Sequence, residues 1–226
     1  MTGYFGKVST HGDFVSRRLP PAVVAAWDEW LQQCIRASRE RLGEQWLDHY
    51  LTSPVWRFAI SPGVLGPDGV GGVMMPSVDR VGRYFPLMIA ATGAPPLLEW
   101  MQRQAPWFDA IDHLARESLD AAFTLARFDT APEPAFEPAS APLSEPAAAL
   151  ASAWRLPLGD DMSAAVAGAA LQAHSLWWSE GSPGIDASLL VCQGMPPPQG
   201  FAAMLDGSWA ASGWRQAGAG VALRDA

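Results

Sequence analysis

Val55-Trp56-Arg57-Phe58-Ala59-Ile60, then Gly66-Pro67-Asp68-Gly69, then Val70-Gly71-Gly72-Val73-Met74-Met75 sets two apolar runs on either side of a turn. Trp56, Phe58 and Ile60 recur at every second position, the period of a strand with one buried face. Gly-Pro-Asp-Gly is turn chemistry, so the two apolar runs read as a β-hairpin. Further along, Leu87-Met88-Ile89-Ala90 is an unbroken apolar run suited to a strand buried on both faces. Upstream, Gly3–Val8 reads as a first strand running into the turn-rich Ser9–Asp13.

Helices flank these strands. Val24, Trp27, Leu31, Cys34, Ser38 and Leu42 follow at steps of three and four, tracing one helical face. Pro20 and Pro21 suit its first turn, where a missing N–H costs nothing. Arg36, Arg39 and Arg41 lie late and Gly43 follows, in agreement with the helix dipole and the C-cap rule. A short helix is expected over Gln45–Leu51. Leu97–Gln104 and Trp107–Phe128 read as two more, split by Pro106, the second with an apolar face of Phe108, Ile111, Ala115, Leu119, Ala122 and Ala126. Thr130–Ala149 carries Pro132, Pro134, Pro138, Pro142 and Pro146 among Ala, Glu and Ser, which predicts an exposed, semi-rigid tether. Beyond it, Ser175–Ser179 and Ala187–Cys192 read as strands and Gln199–Leu205 as a short helix closing at Gly207. That tail is too small for its own core, so its strands are expected to join the main sheet. The reading is one domain over 1–226, an α/β layered sandwich with a central mixed sheet flanked by helices.

Composition narrows the function classes. Of the 226 residues 49% are apolar and 17% charged, far from the signature of a disordered chain, and the 11 Trp residues supply large apolar payloads for a core. The net charge of -8, with no basic run longer than Arg17-Arg18, lacks the dense positive stripe that nucleic acid or anionic lipid requires. Met1–Lys7 has no apolar segment behind its lysine, and no uninterrupted apolar stretch reaches the roughly 20 residues of a membrane helix, so a soluble, cytoplasmic protein is expected. Cys34 and Cys192 fit no metal-ligand spacing and read as two buried thiols.

The familiar chemical motifs are missing. Gly66, Gly69, Gly71 and Gly72 resemble a phosphate loop only superficially. Met74 stands where a dinucleotide loop needs glycine and no Lys-Ser or Lys-Thr follows, so the cluster reads as hairpin turn. His11, His49, His113 and His174 are scattered. Asp109 and His113 sit one helical turn apart and read as a surface pair, because a metal site needs three or four converging ligands. There is no Gly-x-Ser-x-Gly elbow. No catalytic residue, metal site or small-molecule cofactor is therefore expected.

Two stretches concentrate charge and aromatics: His11-Gly12-Asp13-Phe14-Val15-Ser16-Arg17-Arg18-Leu19-Pro20 and Met75-Pro76-Ser77-Val78-Asp79-Arg80-Val81-Gly82-Arg83-Tyr84-Phe85-Pro86. One reading makes them loops that close on themselves through turn chemistry and Asp–Arg pairs. The other makes Asp13, Arg17, Arg18, Asp79, Arg80, Arg83, Tyr84 and Phe85 a partner-binding surface. In that reading Asp13 and Asp79 brace Arg17, Arg80 and Arg83, and Tyr84 and Phe85 supply the apolar centre.

These strings, with Trp27-Asp28-Glu29-Trp30-Leu31, Pro54–Phe58, Ser175–Trp178 and Met204–Trp209, resemble the TagF (ImpM) family from about Tyr4 to Trp214, the Pro-rich tether apart. The resemblance implies a non-catalytic accessory protein of a bacterial type VI secretion system. It further implies a cytoplasmic, post-translational repressor that binds a forkhead-associated-domain scaffold protein. Some relatives are fused to a metal-dependent phosphatase, for which this chain has neither the length nor the acidic motifs. The rival readings are a hydrolase using the Asp13/Asp79 loops and a structural subunit of the secretion apparatus.

Overall fold

A computed structural model describes residues 1–93, 95–136 and 171–215. Seven strands form one sheet: β1 (Thr2–Gly6), β2 (Val15–Arg17), β3 (Trp56–Ile60), β4 (Gly69–Met75), β5 (Leu87–Gly93), β6 (His174–Ser179) and β7 (Ser188–Gln193). Their order across the sheet is β2-β1-β5-β4-β3-β6-β7. The layered sandwich is as expected, but the sheet is antiparallel at every pairing rather than mixed. Parallel neighbours need long crossovers, whereas β3–β4, β4–β5 and β6–β7 are joined directly by loops that reverse the chain.

The five inner strands alternate between two cores. Phe5, Trp56, Phe58, Ile60, Val70, Met74, Met88 and Trp177 face α1 (Pro21–Leu42), α2 (Trp46–Thr52) and a C-terminal segment with a 3-10 turn (Pro198–Gly200) and a one-turn helix α5 (Ala203–Asp206). Tyr4, Val73, Leu87, Ile89 and Leu176 face α3 (Leu97–Arg103) and α4 (Ala105–Glu117). Helices on both faces explain why β4 and most of β5 are buried residue after residue.

The tail is fastened to the sheet. β6 pairs with β3 from Arg57↔Trp178 to Ile60↔Ser175. Two buried indoles bind the last segment: Trp30 donates to the carbonyl of Pro196 at 2.8 Å and Trp56 to that of Met204 at 3.0 Å. Trp27, Trp30, Phe58 and Trp177 meet with centroids 4.8–5.8 Å apart, and burying each ring stabilises by about 1.5–3 kcal/mol.

Several local expectations change. Helix α4 stops at Glu117 instead of running to Phe128. Ser118 turns its hydroxyl onto the Ala115 carbonyl and Asp120 caps the amide of Ala122. The chain can then bury Phe123 and Phe128, the latter stacked on Tyr4 at 4.3 Å, while Leu119 is left 49% exposed. Pro106 lies in the first turn of α4 and so breaks nothing. Gly71 and Gly72 lie inside β4, not in the turn. A Cβ at Gly71 would come within 2.3 Å of the Trp100 ring, and one at Gly72 within 2.4 Å of the Ile89 carbonyl oxygen. They are close-approach glycines: Gly71 makes room for the Trp100 ring of α3, and Gly72 for the backbone of the neighbouring strand β5. Of the expected tether, 137–149 lies outside the described residues. Ahead of it the chain is held down: the Pro132 carbonyl accepts from Thr2 and Trp107, and Phe136 packs edge-on against Trp100.

Candidate functional site

The ends of β1 and β4 lie together at one end of the sheet, and the loops that follow them, residues 7–14 and 76–86, are joined there. The second loop is a small hairpin. The Asp79 amide donates to the Arg83 carbonyl at 3.0 Å, the Gly82 amide to the Asp79 carbonyl at 3.0 Å, and Val78 bridges Tyr84. Gly82 sits at φ 84, the left-handed region that a tight turn needs and glycine adopts freely.

Asp79 is the hub. Its carboxylate is fully enclosed yet has four donors. The Val81 and Arg83 amides reach Oδ1 at 3.0 and 2.9 Å, while Lys7 Nζ and Arg83 Nε each reach Oδ2 at 2.7 Å. Burial alone would push this carboxyl up. The bonds from Lys7, from the backbone and guanidinium of Arg83 and from Val81 outweigh it, holding Asp79 well below the usual carboxylate range. The carboxylate in turn raises the Arg83 guanidinium. Ser77 Oγ donates to the Lys7 carbonyl at 2.8 Å, and the Arg80 amide to the His11 carbonyl at 2.9 Å. The Arg83 guanidinium also donates to the Gly12 carbonyl and stands 3.5 Å from the Asp13 carboxylate. Tyr50, from α2, donates its hydroxyl to the Ser77 carbonyl and accepts from the Ser77 amide.

This arrangement sorts the candidate residues. Asp13, Asp79 and Arg83 come together as expected. Arg80 is not braced by Asp79: its side chain is exposed and lies within 4.0 Å of no carboxylate among the described residues. Arg17 and Arg18 belong to a different construction at edge strand β2, where Asp129 holds them at 2.8 and 3.0 Å. Phe85 is core, in contact with Phe5 and Phe14, and half-buried Tyr84 lies edge-on to Tyr50 and Trp46. The apolar groups that do reach solvent here are Phe14, 48% exposed, and Val81, 64% exposed. Phe14 also lies over Lys7 Nζ at 4.4 Å, a cation–π contact that shields the buried amine.

Sequence reasoning missed Lys7, Tyr50 and Ser77. Lys7 did carry a signal, because it is the chain's single lysine among 15 basic residues. The pairing imagined for Asp109 and His113 does not form either: Asp109 takes Arg57 at 2.8 Å and His113 takes Glu117 at 3.2 Å. Cys34 and Cys192 are free and buried, and burial pushes the Cys192 thiol up to about 11. Among the described residues no group of three or more potential metal ligands occurs, and no helix is long and apolar enough to cross a membrane.

Fold and site together define an antiparallel sheet between helical layers, with an internally locked pair of loops at one end that leaves an arginine, a valine and a phenylalanine facing solvent. Residues 3–133 match the family described as TagF N-terminal domain, type VI secretion system-associated. The fold is similar to the crystal structure of PA0076 from Pseudomonas aeruginosa PAO1, with 39% identity, TM-score 0.81, and coverage of 92% of this chain and 95% of that one. No curated protein matches. The chain belongs to the TagF family and is an accessory protein associated with type VI secretion.

Proposed function

We propose that this chain is a non-catalytic, cytoplasmic regulator that represses type VI secretion post-translationally by binding a forkhead-associated-domain scaffold protein, and that the partner docks on the locked loops. The family resemblance suggests the partner. The observation that carries the docking surface is the contrast within one hairpin. Asp79 and Arg83 hold the loop, while Arg80 and Val81 between them reach solvent, as does Phe14 on the other loop. A guanidinium on a rigid loop is a planar donor fork already oriented for a partner carboxylate, and the exposed Val81 and Phe14 of the same pair of loops offer the apolar contact that hot spots share. Little ordering entropy is then left to lose on binding. The hydrolase reading gains no support from this geometry, because Asp79 has both oxygens occupied and is a weak base when its carboxyl is held so low. In this proposal the segment bearing β6 and β7 acts with the rest of the chain as one unit.

Co-purification with the scaffold protein, run beside a secretion assay, tests the proposal. Arg80→Ala is expected to lose capture and derepress secretion with the melting temperature unchanged. Arg83→Ala is expected to lose both capture and stability, since it releases Asp79. Full repression and full capture by folded Arg80→Ala would place the docking surface elsewhere.

A further inference from the structure

The sheet ends in two edges of opposite character. Strand β2 is three residues long, carries Arg17, and breaks off at Arg18, whose φ of 64 takes the backbone out of the extended region. Short length, charge and a backbone kink are the devices by which proteins keep edges from pairing. Strand β7, Ser188-Leu189-Leu190-Val191-Cys192-Gln193, has none of them: six residues with no charge, no Pro and no Gly. Leu190 and Cys192 face the core, while Leu189 and Val191 on the other face are each 53% exposed. Among the described residues no strand lies outside β7.

We infer that β7 pairs antiparallel with β7 of a second copy of this chain, about a two-fold axis through Leu190. The register argument chooses the occupant. A two-fold axis perpendicular to the sheet leaves each residue on its own face, so paired residues must share parity. Centring on Leu190 sets Leu189 opposite the partner's Val191, twice, and Ser188 opposite the partner's Cys192. The four half-exposed aliphatic side chains then form one cross-strand patch with no charge opposed, the kind of pairing that stabilises antiparallel strands. Centring on Val191 would set Leu189 against Gln193 and lose this match. The chain's own 137–170 is a poorer source of a strand, because it carries Pro138, Pro142, Pro146 and Pro157 and is rich in Ala. A six-residue edge buries less than the roughly 1,200–2,000 Å² of a standard interface, which puts the pairing among weak, concentration-dependent associations. β7 is the far edge of the sheet from β2, and the locked loops stay open in the dimer.

Sedimentation velocity of the full chain from about 1 to about 200 µM tests this. The wild type is expected to pass from monomer to dimer across that range. Leu189→Lys and Val191→Lys, both at exposed positions, are expected to weaken association at least about tenfold with unchanged melting temperature. In the wild type, β7 amides should exchange hydrogen more slowly as concentration rises, a readout that needs no variant. A wild type that stays monomeric throughout overturns the inference, whether because another segment or another protein takes the edge. Dimers that persist in both variants, or β7 amides whose exchange is independent of concentration, overturn it as well.

Discussion

Asp79 and Asp129 each hold two basic side chains, and they do so in opposite surroundings. Asp79 grips Lys7 and Arg83 with its carboxylate sealed from solvent. Asp129 grips Arg17 and Arg18 with 32% of its side chain exposed, and Arg17 itself is half exposed. The number of ion pairs is the same, but the consequences differ. Removing one partner of a buried pair strands a charge in a place water cannot reach, whereas an exposed pair exchanges its partner for solvent at little cost. The buried pair also specifies geometry: every oxygen lone pair of Asp79 that is used points along one of four donors, and this fixes the hairpin from Val78 to Tyr84. Asp129 only ties an edge strand to the 3-10 turn over Leu125–Thr130.

Asp79→Ala should therefore give the largest loss, because it leaves Lys7 buried without a partner and two amides without an acceptor. Thermal unfolding should drop far more than for any change at Asp129. Lys7→Arg, conservative on paper, comes next. The compact ammonium lies in a space only 5% open to solvent, and a planar guanidinium there overpacks it, at about 1–3 kcal/mol by chemical denaturation. Chemistry gives an independent readout of the same enclosure. Because Lys7 is the only lysine, an amine-acylating reagent should add to the amino terminus of the folded protein and reach Lys7 only on unfolding, as mass spectrometry would show. In Asp79→Asn, Lys7 should become reactive in the native state.

The lock has a pH signature whose sign follows from its electrostatics. The folded Asp79 carboxyl lies below its unfolded value of about 4. The stability it contributes is therefore complete above that value and is lost as pH falls through and below it. Denaturant midpoints measured from neutral pH downward should fall less steeply in Asp79→Asn than in the wild type. The smallest effect belongs to the clasp: Asp129→Ala should change stability by less than about 1 kcal/mol, and by less still in high salt.

The two constructions also differ in how far the sequence reveals them. Asp79 and Arg83 stand four residues apart, with Gly82 between them, so their pairing and the turn could be read from the string. Lys7 is 72 residues away, and nothing local reports that β1 and β4, with β5 between them, finish at the same end of the sheet. Asp129 meets Arg17 across 112 residues, so the string cannot show that Asp129, rather than Asp13 or Asp79, braces Arg17. The same division runs through the fold. Strands β3 to β5 and helix α1 were legible because alternation and helical spacing are local signals. The end of α4 was not, because the gain from burying Phe123 and Phe128 is a tertiary matter that helical periodicity cannot see. The reason for Gly71 and Gly72 is equally distant in the chain: the ring over Gly71 comes from Trp100 in α3, and the carbonyl against Gly72 from Ile89 in β5.

In the proposed function the lock serves to present Arg80 and Val81 to a partner. Calorimetric titration of the scaffold protein into the full chain tests it most directly, with wild type, Asp129→Ala and the double variant Arg80→Glu, Val81→Asp compared at matched melting temperature. Affinity should be unchanged for Asp129→Ala and fall at least about tenfold for the double variant, whose altered side chains reach solvent and leave the lock closed. Wild-type affinity in the double variant, with its melting temperature preserved, would contradict it.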